Sequence, residues 1–91
     1  MIITEQIYRD SKEISLEKFL IFSRQNGWDI SAKPHNDDKI YFISKNGKGF
    51  ILPPEEYIDF EFRCLEAIYE MAKVHLRRPS QIFDAIASVN I

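Results

Sequence analysis

The sequence predicts an α+β fold: a three-stranded antiparallel sheet, with or without an added N-terminal strand, packed against two to three helices. Three observations predict it. An amphipathic run ends at Asn26-Gly27-Trp28, where a glycine can take the left-handed conformation that closes a helix. An Asn46-Gly47 pair between Lys45 and Lys48 joins two apolar runs, and two residues tolerant of positive φ are the strongest short-range hairpin signal. From Asp59 to Leu76 apolar residues recur at alternating spacings of three and four, the period of a helix with one buried stripe.

Each element follows from its residues, within a single domain spanning 1–91. Residues 1–12 read as an N-terminal strand or a flexible lead. The first helix is predicted over 15–26, with Ser15 as N-cap and Glu17 suited to the positive end. Leu16, Phe19, Leu20 and Ser23 share a face that Phe22 widens, and Trp28 is placed to fold back onto Phe22. A three-stranded meander fills 28–52. Trp28, Ile30 and Ala32 alternate with Asp29 and Ser31, as in a half-buried strand. Lys33-Pro34-His35-Asn36-Asp37-Asp38 reads as a loop, Lys39 to Ser44 as the second strand, and Gly49 to Leu52 as the third, ended by Pro53-Pro54. The long helix is predicted over 59–77 with its stripe through Phe62, Leu65, Tyr69, Ala72 and Leu76, thickened by Ile68 and Met71. A short helix over 80–88 is capped by Ser80 and carries Ile82, Phe83 and Ile86.

Composition bounds the function more than it names it. An apolar fraction of 45% over 91 residues supports a real core. A formal net charge of -2 argues against general nucleic-acid binding, which needs a basic surface. With Cys64 as the single cysteine, no intramolecular disulfide forms. The first residues lack the basic start and apolar run of a signal peptide, and no stretch approaches the roughly 20 apolar residues of a membrane span. The expectation is a cytoplasmic chain without membrane contact, and no cofactor or metal is called for.

Few residues carry chemistry. His35, beside Asn36, Asp37 and Asp38, is the candidate general acid/base, because imidazole titrates near neutral pH. A metal site from His35, Asp37 and Asp38 lacks further ligands. Cys64 has Glu61 and Glu66 as helix neighbours and reads as a buried thiol, and His75 suits the negative end of its helix. Lys33, Lys39, Lys45 and Lys48 stand at strand ends, where they would contact phosphates or guard sheet edges. Acidic residues lead the long helix and Lys73, Arg77 and Arg78 end it, an order that matches the helix dipole. If helices cover one sheet face only, Tyr41, Ile43 and Ile51, or their counterparts of opposite parity, form an apolar patch for a protein partner or a second copy.

The helix, then Asn26-Gly27-Trp28-Asp29-Ile30, a histidine loop, the strand Ile40 to Ser44, Asn46-Gly47-Lys48-Gly49, Phe50-Ile51-Leu52-Pro53 and a following helix resemble the layout of HicA-type toxins. The resemblance covers about Ile14 to Leu76. It implies a double-stranded-RNA-binding-like α-β-β-β-α fold and a ribonuclease with His35 as its catalytic histidine. His35 here follows Lys33-Pro34, where that family has Gly-Ser. The segment from Phe22 to Ile86 also resembles small uncharacterised bacterial proteins with a Gly-Trp start and a closing helix pair. Two functions are therefore expected. The first is a non-enzymatic bacterial or phage interaction module, an accessory or antitoxin-like component that binds a protein through an exposed sheet face or edge. The alternative is a HicA-like, RNA-binding ribonuclease in which His35 acts and Lys33, Lys39, Lys45 and Lys48 hold phosphates.

Overall fold

A computed structural model describes residues 14–90; the strand or lead expected over 1–12 lies outside them. The fold is α+β, with a three-stranded antiparallel sheet and three helices among the described residues. In chain order the elements are α1 (Leu16–Gln25), β1 (Asp29–His35), β2 (Asp38–Lys45), β3 (Lys48–Leu52), α2 (Phe60–His75) and α3 (Pro79–Ala87).

Helix α1 begins where Ser15 Oγ accepts from the Lys18 N–H at 3.2 Å. It ends in a Schellman closure: Trp28 N–H reaches Ser23 C=O at 2.9 Å, Gly27 N–H reaches Arg24 C=O at 3.3 Å, and Gly27 takes φ +81°. Helix α2 closes the same way. Arg77 N–H donates to Ala72 C=O at 2.9 Å, but the left-handed position at φ 54° is held by Leu76 instead of glycine. Helix α3 starts two residues earlier than a Ser80 cap implies, with Arg78 at the N-cap position. Pro79 occupies its first turn, where a missing N–H costs nothing, and Gln81 Oε1 accepts from the Arg78 N–H at 2.9 Å.

The sheet order is β1-β2-β3, joined by two-residue hairpins at Asn36-Asp37 and Asn46-Gly47. Asn46 and Gly47 both have positive φ, 52° and 79°, as the second hairpin requires. Lys33, Pro34 and His35 are strand residues rather than loop, paired with Ile40, Lys39 and Asp38. The reason lies in the ladder. A two-residue hairpin makes His35–Asp38 a hydrogen-bonded pair, so Pro34, next along, directs its ring nitrogen away from β2. No ladder bond is lost by a proline on that edge.

Helices α1 and α2 pack against one face of the sheet, and α3 packs on those two helices. Ile43 and Leu52 are buried there, with Ile30, Tyr41 and Phe50 packed partly against the same core. Phe19, Leu65, Ile68, Met71, Ile82 and Ile86 complete it from the helices. The predicted stripe of α2 holds in part: Leu65, Ile68, Met71 and Ala72 are buried as expected, but Phe62 is 48% exposed and Leu76 92% exposed, and Phe60, Cys64 and Ala67 face inward instead. Cys64 and Ala67 are almost fully buried, yet such small side chains carry little weight in an apolar pattern. Trp28, expected to fold back onto Phe22, is joined to it through His75. The ring contacts run from Phe22 to His75 at 6.5 Å, His75 to Trp28 at 6.0 Å, and Trp28 to Phe50 at 5.3 Å.

Candidate interaction surface

Strand parity decides what the helices leave bare. The register aligns Ser31, Phe42 and Ile51 on the face opposite the core, with Lys33 beside Ile40 on the same side. Ile40 and Phe42 are half-buried and Ile51 is 48% exposed. Of the partner-binding candidates Tyr41, Ile43 and Ile51, only Ile51 belongs to this face. Tyr41 packs partly against the core and Ile43 is 1% exposed, so the counterparts Ile40 and Phe42 take their place. Lys33 holds its ammonium 5.0 Å from the Phe42 ring centre, a cation–π contact that shields part of the ring.

A trough of about 700 Å³ adjoins this face. Phe42, Gly49 and Ile51 line it from the sheet, and Asp59, Arg63 and Glu66 from α2. Arg63 is held there by Asp59 at 3.5 Å and Glu66 at 3.2 Å. His35 and Tyr57 also line it, their rings 6.3 Å apart. The nearby carboxyls of Asp38 and Glu56 share a hydrogen bond. That bond holds Asp38 below the usual carboxylate range, helped by the Lys39 N–H at 2.9 Å, and pushes Glu56 above it. The surroundings of His35 are therefore acidic.

The four lysines do not converge. Lys33 lies on the open face and Lys39 has the opposite parity, both near the Asn36-Asp37 turn. Lys45 and Lys48 face each other at the far end of β2, roughly 17–20 Å away along the strand at about 3.4 Å per residue. Lys45 already has a structural duty: its Nζ donates to Asn26 C=O at 2.6 Å and ties the end of α1 to the sheet. The remaining chemical candidates are structural as well. Burial, then Glu55 and Glu61, push the Cys64 thiol far above its ordinary range, so no thiolate forms near neutral pH. His75 Nε2 accepts from Trp28 Nε1–H at 2.9 Å, which fixes its neutral form. Burial, then Lys45 and Arg77, lower its pKa.

Among the described residues no group of three or more His, Cys, Asp or Glu side chains has the geometry to hold a metal ion, and no helix is long and apolar enough to cross a membrane. Compared with family models, curated proteins and solved structures, the chain matches none of them.

Proposed function

We propose that this chain is a protein-interaction module that binds a partner through the helix-free face of its sheet. The observation that carries the reading is the apolar set Ile40, Phe42 and Ile51, aligned on the one sheet face without a helix across it. Burying such a set against a partner gains about 25 cal/mol per Å² of apolar surface. Lys33 and the Asp59–Arg63–Glu66 stripe supply a charged rim of both signs, the usual border of an apolar interface core. The acidic net charge and the resemblance noted above extend the reading to a bacterial or phage accessory or antitoxin-like component, acting in the cytoplasm.

The ribonuclease reading rests on His35, exposed at the trough. It lacks a convergent phosphate site, because Lys45 and Lys48 stand at the opposite end of the sheet and Asp38 and Glu56 repel phosphate near the histidine. Affinity capture from the source cell tests the first reading. A partner held by wild type and by Ser80→Ala, and lost by Phe42→Lys, supports it; equal capture by Phe42→Lys contradicts it. RNA cleavage by wild type that His35→Ala abolishes would favour the second reading instead.

A further inference from the structure

The two outer strands of the sheet are not alike. In β1 the backbone groups that point away from β2 belong to Ile30, Ala32 and Pro34, and Pro34 has no N–H to offer. In β3 the Asn46-Gly47 hairpin makes Lys45–Lys48 a hydrogen-bonded pair, so Phe50 and Leu52 also bond to β2. Gly49 and Ile51 then direct N–H and C=O outward. Among the described residues β3 pairs with β2 alone, and the trough of about 700 Å³ runs past these same two residues. An edge with no proline and no bulge is a template for another strand.

Charge along this edge is polarised. Lys45 and Lys48 mark its start, while Glu55, Glu56 and Asp59 follow its end, near Asp38. A strand laid parallel would set lysine against lysine. A strand of the same sequence laid antiparallel sets each basic end beside an acidic one.

We infer that β3 pairs antiparallel with β3 of a second copy of this chain, joining two sheets into one of six strands about a two-fold axis at Phe50. Gly49 of each copy stands opposite Ile51 of the other, and the four outward groups of each strand pair with the four of the other to close the ladder. Lys48 comes alongside Leu52 of the other copy, whose next charged residues are Glu55, Glu56 and Asp59. The open faces then form one continuous surface. The inference extends the interaction reading above, and the two can fail separately.

Sedimentation equilibrium of the full chain tests it, with thermal melting run alongside. Wild type is expected to be a dimer that weakens as salt rises. Ile51→Pro removes one outward N–H without touching a bond to β2, and it should give a folded monomer. Lys48→Glu relieves the repulsion with Lys45 inside each copy, so its melting temperature should hold or rise while dimerisation weakens roughly tenfold or more. A wild-type monomer at about millimolar concentration overturns the inference, as does a dimer indifferent to Lys48→Glu. A monomer whose captured partner is lost on Phe42→Lys overturns the dimer alone. A dimer whose partner capture ignores Phe42→Lys overturns the open-face reading alone.

Discussion

Three positions show how single residues hold this fold. Leu76 occupies a left-handed backbone position with its side chain 92% exposed, so it carries conformational strain and little packing. Leu76→Gly is expected to raise unfolding free energy by about 1 kcal/mol in urea titration. Gly27 is the reverse case. It has φ +81°, and an added Cβ would sit 3.0 Å from Lys45 Nζ, so Gly27→Ala should cost about 1–2 kcal/mol and disturb the Lys45–Asn26 tie. His75 supplies a pH dependence. Its folded pKa lies below the ordinary value of 6.5, so between the two values the unfolded chain binds more protons than the native one. Stability is therefore complete above about pH 6.5 and falls as the solution is acidified through that window. His75→Phe should abolish this part of the slope in pH-dependent denaturation. It also strands the Trp28 indole N–H at a cost of about 1–3 kcal/mol.

At the scale of elements, the two faces of β2 make opposite predictions. Ile43 is in the core, so Ile43→Ala should cost about 2–5 kcal/mol. Phe42, one residue earlier, is half-buried outside the core cluster, and Phe42→Lys should cost about 1 kcal/mol, chiefly the Lys33 contact. Chemical denaturation of the two variants reads the difference directly. The sequence made every described element legible, because caps, the Asn-Gly turn and helical periods act locally. It could not choose the face. Tyr41 with Ile43 and Ile40 with Phe42 are equally apolar, and only the packing of α1, α2 and α3 selects between them. Pro34 misled for a related reason: a proline breaks a central strand, yet it sits without loss on an edge whose register directs its nitrogen outward. On α2 Leu65, Ile68, Met71 and Ala72 were legible as the buried stripe, whereas Cys64 and Ala67 were not, because small side chains weigh little in an apolar pattern.

At the scale of the molecule, the helices pack on one face of a three-stranded sheet and, among the described residues, leave Ile40, Phe42 and Ile51 on the other. His35 was legible as a titratable residue in a polar setting. The Asp38–Glu56 pair beside it was not, because that contact joins the first hairpin to the segment after β3. The separation of Lys33 and Lys39 from Lys45 and Lys48 likewise needed the register. What remains is an apolar face with a charged rim, and a β3 edge that pairs with β2 alone among the described residues. The most direct test combines stability and binding in the single variant Phe42→Lys. The open-face account predicts unfolding free energy within about 1 kcal/mol of wild type together with loss of the captured partner. A drop of about 3 kcal/mol or more with partner capture intact would contradict it, because Phe42 would then belong to the core and not to the binding surface.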